Sequence, residues 1–123
     1  MPVSVIFFTV ADFNAFNDSY GYVTGDECLQ RIAEAATQSV TGPRHLVARY
    51  RGTEFIAMLP ELGAEQAMSA KDALRTHLEH LELGLCLQFG VATAHPNEAT
   101  SRMTLLALAK EALAHSKSVY NRS

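Results

Sequence analysis

The sequence is poor in the residues that mark disordered, fibrous or disulfide-stapled chains. It contains four prolines, seven glycines and two cysteines among 123 residues. Hydrophobic residues make up 48% of the chain and charged residues 19%, which is the composition of an ordinary globular protein. Because a chain of this length forms one core, we predict a single domain over residues 1–123, without internal repeats or linkers.

A surplus of basic charge is also absent. Ten lysines and arginines are outnumbered by thirteen aspartates and glutamates, for a net charge of −3 at pH 7. Duplex nucleic acids and anionic membrane surfaces call for a concentrated basic face. We therefore expect no nucleic-acid partner, whereas a single small nucleotide is compatible with this charge.

The apolar opening, residues 3–10, is too short to span a membrane and has neither a basic leader nor a cleavage site. Cys28 and Cys86 do not have the spacing of a metal knuckle or a redox motif, so we expect two buried free thiols. These features predict a cytoplasmic domain that does not insert into a membrane. A domain cut from a larger membrane receptor would share them.

The sequence pattern changes from strand-like to turn-like after residue 10. The β-branched and aromatic run at residues 3–10 is typical of a central strand covered on both faces. Asp12 is expected to cap a short helical turn at residues 13–16, and residues 17–26 are rich in turn formers and are predicted to form a loop.

The later periodicity predicts three helices and three strands. They are a helix from Asp26 to about Thr41, hairpin strands at 45–51 and 53–59, a helix marked by Ala67, Ala70, Leu74, Leu78 and Leu81, a strand at 83–93 and a helix at 102–118. Helices packed on a largely antiparallel sheet in this order make an α+β domain of ferredoxin-like type.

Three segments and part of the last helix carry the motif content of the chain. They are Phe13 with residues 17–29, residues 49–55, residues 89–92, and Ala109, Ala112, Leu113 and Lys117. Together they resemble the GGDEF domain family, in that family's order and spacing, over nearly the whole chain. The family comprises diguanylate cyclases, which condense two GTP into cyclic di-GMP, and many relatives that have lost this activity. The resemblance implies a nucleotidyl-cyclase palm, with an antiparallel central sheet flanked by helices.

The start of the chain departs from the family pattern. Family members usually have a helix and a D-x-L-T-G-L-x-N-R segment ahead of the first strand. This chain begins at the strand, so we expect a domain over residues 1–123 that lacks both features, either because the sequence is trimmed or because the domain has lost part of the wall around its nucleotide site.

A guanine-binding pair is implied at Asn17 and Asp26. A carboxylate accepts hydrogen bonds from guanine N1–H and N2–H₂ together, and an amide both donates and accepts. The residues alone leave another interpretation open, in which Asn17 stabilises a turn and Asp26 caps the following helix. Lys117 corresponds to a phosphate-contacting lysine and is equally compatible with an ordinary surface position.

The resemblance places the family's two metal-binding acids at Thr9 and Thr53. Phosphoryl transfer uses Mg²⁺, which prefers anionic oxygen ligands, and a neutral hydroxyl is a much weaker ligand. The signature here reads Arg51-Gly52-Thr53-Glu54-Phe55, with the acid of its fourth position retained at Glu54. We predict no intact catalytic set and no certain cofactor. Mg²⁺ is expected only if residual activity persists through Glu54 and a displaced Asp12.

Other positions also depart from the pattern. Arg51 replaces the first signature glycine, where its side chain would crowd a phosphate or pair with it, and Asn14 replaces a strand-end lysine. The product-inhibition motif falls on Gly42 and His45 and is absent. His77 and His80 have helical spacing but no third metal ligand, so we expect them to face solvent or to lie at a rim.

These features predict a degenerate GGDEF domain without cyclase activity. It would act as a regulatory, nucleotide-sensing or interaction module in cyclic di-GMP signalling and bind GTP or another guanine nucleotide. Two alternatives stay open, a weakly active diguanylate cyclase and a nucleotide-free scaffold. The expected protein partners are another GGDEF domain, a phosphodiesterase domain or a sensor domain.

Overall fold

A computed structural model describes residues 2–40, 42, 45–94 and 107, with the side chains of Tyr50 and Arg51 outside this description. The described part of the chain contains four strands and three helices. They are β1 (Val3–Ala11), α1 (Phe13–Tyr20), α2 (Tyr22–Ser39), β2 (Leu46–Arg51), β3 (Glu54–Pro60), α3 (Ala64–Glu79) and β4 (Cys86–Ala94). The helix predicted at 102–118 lies outside the described residues apart from Ala107, which is helical.

The four strands form one antiparallel sheet in the order β2-β3-β1-β4. β1 lies inside the sheet, paired with β3 on one side and β4 on the other. Its residues from Ser4 to Val10 are all buried, which suits a run rich in β-branched and aromatic side chains. The predicted central strand and the predicted ferredoxin-like α+β fold are therefore confirmed.

Helices α2 and α3 cover one face of the sheet. The main core joins side chains from three strands and these two helices, among them Ile6, Phe8, Phe55, Leu29, Ile32, Leu74 and Leu78. The ring of Phe8 stacks on Phe55 at 5.1 Å and on Phe89 at 5.5 Å between centroids, which links β1 to β3 and β4. Val5 and Phe7 are buried in a second cluster. Both clusters together fix which side of β1 each residue faces.

The segment after β1 differs from the sequence prediction. Residues 13–20 form a complete helix rather than one turn, and α2 begins at Tyr22 after a break at Gly21, where φ is +89°. The loop predicted over residues 17–26 is therefore wrong. The side chains of residues 17–26 have only weak conformational preferences for a turn. Packing of Phe13 against the core outweighs these preferences.

Asp12 stands at the N-cap of α1 but does not cap it through its side chain. Its backbone is left-handed, with φ 56° and ψ 34°, and no cap hydrogen bond forms from the carboxylate. N-cap side chains usually reach the helix N–H groups from an extended backbone. The expected cap is therefore wrong, and the carboxylate is exposed.

The hairpin and α3 agree with the sequence prediction. Only Gly52 and Thr53 join β2 to β3, and Gly52 has φ +42°, which a two-residue hairpin turn requires. Arg49 Nε donates a hydrogen bond to the Gly52 carbonyl oxygen at 2.7 Å and braces this turn. No helix in the described residues is long and apolar enough to cross a membrane.

The two cysteines differ in exposure. Both are free thiols, as expected, but only Cys28 is buried. Cys86 is exposed because it is the first residue of β4, which forms one end of the sheet among the described strands. The expectation of a buried thiol is wrong at this position.

Candidate functional site

The end of β1 and the hairpin turn bring Thr9 and Thr53 into contact. The antiparallel register places Thr9 opposite Glu54, so the preceding residue, Thr53, lies beside it. Thr9 Oγ1 donates a hydrogen bond to the Thr53 carbonyl oxygen at 3.1 Å and lies 3.5 Å from Thr53 Oγ1. The Val10 amide donates to the same carbonyl at 3.2 Å. Two positions 44 residues apart thus form one closed hydrogen-bonded unit.

This unit does not suit Mg²⁺. Its oxygens are two neutral hydroxyls and one carbonyl, and the Thr9 hydroxyl is committed to that carbonyl. Mg²⁺ holds its waters strongly and binds proteins mainly through carboxylates. Within residues 2–40 and 45–94, no group of three or more His, Cys, Asp or Glu side chains is arranged to hold a metal ion.

A cavity of about 410 Å³ opens beside the turn. Its lining residues are Val10, Asp12, Phe13, Asn14, Ala15 and Thr53. Small-molecule sites commonly measure about 300–1,000 Å³. The cavity is therefore large enough for part of a nucleotide, and its wall combines apolar side chains with one carboxylate, one amide and one hydroxyl.

Asn17 and Gly25 form the contact between α1 and α2. Asn17 is 8% exposed, and its Oδ1 has no hydrogen-bond partner among the described residues. A Cβ placed on Gly25 would overlap Asn17 Oδ1 and would lie 3.0 Å from Cζ of Phe13. A larger residue at position 25 would displace the Asn17 amide from this contact. Asp26 follows directly in α2 and is exposed.

The turn role of Asn17 and the helix-cap role of Asp26, which the sequence left open, do not hold. Asn17 lies within α1 rather than in a turn, and Asp26 lies inside α2, which begins at Tyr22. Neither side chain therefore has the local role that its sequence neighbourhood suggested. A buried oxygen without a partner is uncommon in folded proteins and calls for an explanation.

Several other predicted positions are also located. Asn14 is exposed and lines the cavity, while Lys117 and the side chain of Arg51 lie outside the description. His45 Nε2 is hydrogen-bonded to the Pro60 carbonyl oxygen at 3.1 Å, so it ties the start of β2 to the end of β3. His77 is half-buried, with an Nε2 that has no partner among the described residues, and His80 is exposed. The exposed His80 and the half-buried His77 agree with the predicted solvent-facing or rim positions.

A row of aromatic side chains on α1 was missed by the sequence interpretation. The rings of Phe13 and Phe16 lie 6.1 Å apart, and those of Phe16 and Tyr20 lie 4.7 Å apart. Tyr20 and Tyr22 are 65% and 75% exposed beside the candidate site. The spacing of three and four residues between these rings is helical and could have revealed α1.

Burial also affects the thiol two residues after Asp26. Desolvation raises the pKa of Cys28, and Glu27 raises it further, against an opposing effect of Arg31. The thiol therefore stays protonated at neutral pH and is a poor nucleophile. This places the residue in the packing of α2 rather than in chemistry.

Comparison with known proteins identifies the family. Residues 1–122 match the family described as "Diguanylate cyclase, GGDEF domain". The chain is 30% identical over 118 residues to diguanylate cyclase DosC of Escherichia coli K12, covering 91% of this chain and 25% of DosC. It is 34% identical over 77 residues to diguanylate cyclase A of Treponema denticola, covering 63% of this chain and 20% of that protein. The chain thus spans a quarter or less of these relatives.

Solved structures share the fold. The active GGEEF domain of a diguanylate cyclase from Vibrio cholerae superposes with a TM-score of 0.81 at 27% identity, covering 96% of this chain and 78% of that chain. The GGDEF domain of DgcB from Caulobacter crescentus, solved with c-di-GMP, superposes with a TM-score of 0.80 at 25% identity, covering 95% and 72%. With the match over residues 1–122, these likenesses show that the chain belongs to the GGDEF domain family.

Proposed function

We propose that this domain does not make cyclic di-GMP and instead acts as a guanine-nucleotide-sensing regulatory module in cyclic di-GMP signalling. The observation that carries the proposal is the contact between Thr9 and Thr53. Membership of the GGDEF family supports the signalling context. The regulated partner in this proposal is another GGDEF domain, a phosphodiesterase domain or a sensor domain.

Loss of catalysis follows from the chemistry of the Thr9–Thr53 unit. Transfer of a nucleotidyl group requires neutralisation of the triphosphate and activation of the attacking 3′-hydroxyl, both of which Mg²⁺ supplies when it is bound. The Thr9 and Thr53 hydroxyls and the Thr53 carbonyl offer no anionic oxygen to such an ion. Asp12 contributes one carboxylate to the cavity wall, and a single carboxylate makes a weak site.

Binding of a guanine base is supported by the α1–α2 contact. The Asn17 Oδ1 acceptor is buried against Gly25 and unpartnered among the described residues, so an N–H donor of a ligand would satisfy it once that contact opens to admit the base. The exposed Asp26 carboxylate can accept two further N–H groups from the guanine edge. Gly25 contacts the Asn17 amide and directly precedes Asp26 in α2, so the two polar residues adjoin the same glycine.

The first experiment incubates the purified chain with GTP and either Mg²⁺ or Mn²⁺ and measures cyclic di-GMP by chromatography. We expect no product. A Thr9→Asp, Thr53→Asp and Arg51→Gly variant restores the family residues and is expected to gain divalent-cation binding. Adding two acids instead on exposed helix faces, with Gln30→Asp and Ser69→Asp, provides the matched control. Turnover by the unaltered chain at ordinary cyclase rates would overturn the proposal.

Nucleotide sensing has its own test. Calorimetric titration with GTP and with GMP is expected to show binding that is lost in Asp26→Ala. If the unaltered chain binds no guanine compound, the nucleotide-free scaffold is the correct alternative.

A weakly active cyclase is favoured by one observation. Asp12 does not cap α1 with its carboxylate and lines the same cavity as Thr53. It could therefore assist a cation together with Glu54, the retained signature acid. This candidate predicts a slow turnover that both Asp12→Asn and Glu54→Ala abolish, and it is removed if the unaltered chain shows no turnover at all.

A further inference from the structure

A cavity lies beside the Asn17–Gly25 contact, where it could hold the ribose and phosphates of a bound guanine nucleotide. The ring of Phe13 belongs to the cavity wall and also lies against Gly25, whose other close neighbour is Asn17. A guanine held by Asn17 and Asp26 would therefore direct its ribose and phosphates toward this wall. The cavity volume of about 410 Å³ leaves room for a sugar and a phosphate.

The described lining of this cavity carries one negative and no positive side chain, which does not suit a polyphosphate. Its three polar residues are Asp12, Asn14 and Thr53, and none of the described lining residues is basic. The backbone at Asp12 is left-handed, and its side chain makes no helix-cap bond that would offset its charge. Each additional phosphate would bring negative charge close to this carboxylate, where the interaction is only partly screened.

The turn does not supply compensation through a metal. In a triphosphate site a divalent cation would offset the repulsion, but the Thr9–Thr53 unit offers it only neutral oxygens. The acidic wall and the neutral turn therefore act in the same direction. Both penalise the charge of the ligand while leaving recognition of the base unaffected.

We infer that the site selects guanine ligands of low charge, guanosine or GMP, over GTP, and binds them without a divalent cation. This inference rests on the proposed nucleotide-sensing function and specifies its ligand. The module would then respond to the breakdown products of guanine nucleotides, formed by reactions that remove phosphates, rather than to the cyclase substrate.

Isothermal titration of the unaltered chain with guanosine, GMP, GDP and GTP, each with and without Mg²⁺, tests the inference. We expect guanosine and GMP to bind about tenfold more tightly than GTP, since adding like charge near a partly screened carboxylate weakens binding by about this factor. Mg²⁺ is expected not to strengthen the binding of guanosine or GMP.

Asp12→Asn removes the charge with little change in shape, and asparagine tolerates the left-handed backbone found there. This variant should bind GTP several-fold more tightly and guanosine as before, which also shows that it folds. Asp18→Asn is the matched control, because Asp18 is exposed on the same helix and does not line the cavity. It should leave the order of affinities unchanged.

The outcomes separate the inference from the function on which it rests. Tightest binding of GTP, strengthened by Mg²⁺, overturns the inference and leaves nucleotide sensing intact. An Asp12→Asn variant whose GTP affinity equals that of the unaltered chain also contradicts it. Failure of every guanine ligand to bind overturns the nucleotide-sensing proposal itself.

Discussion

The two halves of the candidate site differ in how their polar atoms are satisfied. In the helix half, Asn17 is buried between α1 and α2 with an oxygen that has no partner among the described residues. In the turn half, the Thr9 hydroxyl is equally buried but is bonded to the Thr53 carbonyl. The helix half thus has an unmet hydrogen bond that a ligand could complete, whereas the turn half is complete without one.

This difference has an energetic meaning. A buried polar group left without a partner costs about 1–3 kcal/mol, so the helix half carries a cost that binding would remove. Two acids at the positions of Thr9 and Thr53 would instead repel each other strongly in the absence of a cation. The hydroxyl of Thr9 instead forms a hydrogen bond to the Thr53 carbonyl, with no like-charge repulsion for a cation to offset.

The largest expected effect comes from restoring both acids. Thr9→Asp with Thr53→Asp places two carboxylates where hydroxyl oxygens are now 3.5 Å apart. We expect a loss of about 3 kcal/mol in the free energy of unfolding at pH 7, because like charges interact strongly at this separation. Urea denaturation measures it, and millimolar Mn²⁺ should recover most of the loss. The Gln30→Asp and Ser69→Asp control, on exposed helix faces, should show neither effect.

A second substitution disrupts the helix half. Gly25→Ala introduces a Cβ that overlaps Asn17 Oδ1 and crowds Phe13, so we expect a loss of about 2 kcal/mol in the free energy of unfolding and no guanine binding. Thermal unfolding and calorimetry measure the two effects. Gly63→Ala is the control, since its nearest neighbours are 3.9 Å away and its φ is −83°. Equal stability of Gly25→Ala and the unaltered chain would contradict the close helix contact.

The hydrogen bond in the turn half predicts a smaller effect. Thr9→Val keeps the shape of the side chain and removes the donor to the Thr53 carbonyl. We expect the free energy of unfolding to fall by about 1 kcal/mol, the usual net contribution of one hydrogen bond. Guanine binding should be unchanged, because the helix half is not touched.

Asn17→Ala should behave in the opposite way. It removes a buried oxygen that lacks a partner and introduces the best helix former, so stability should change by less than about 1 kcal/mol. Guanine affinity should nevertheless fall at least tenfold, about the value of one lost hydrogen bond. A large loss of stability with unchanged affinity would show that Asn17 serves packing rather than binding.

The smallest expected effect is on the rates at which the two cysteines are labelled. Cys28 is buried in α2 and its pKa is raised, so at pH 8 a maleimide should modify exposed Cys86 first. GMP should slow the labelling of Cys28 further by holding α1 against α2. Mass spectrometry of the two cysteine peptides gives both rates, and equal slowing at Cys86 would indicate a general effect on the whole domain.

Much of the fold was predictable because its strands carry strong patterns. The continuous apolar run of β1 and the hairpin residues around Gly52 predicted the centre of the sheet and its turn, and both are confirmed. The predicted loop at residues 17–26 failed because asparagine, aspartate, serine and glycine there favour turns only weakly. Contact of α1 and α2 with each other and with the core decided their helical state.

Details of individual side chains were less predictable. Asp12 has the composition of an N-cap, but its left-handed backbone turns the side chain away from that role. Cys86 has the apolar character of a core residue, yet its place at the start of β4 leaves it exposed. Such outcomes depend on backbone angles and neighbours that no local pattern encodes.

The sequence by itself determined the chemical identity of the site. Hydroxyls stand at residues 9 and 53, glycine at residue 25, and an amide and a carboxylate at residues 17 and 26, because these are properties of single residues. Only the tertiary structure decided how they are used. Register between β1 and β3 closes Thr9 onto Thr53 across 44 residues, and helix packing leaves Asn17 buried and unpartnered, since hydrogen bonds depend on positions in space.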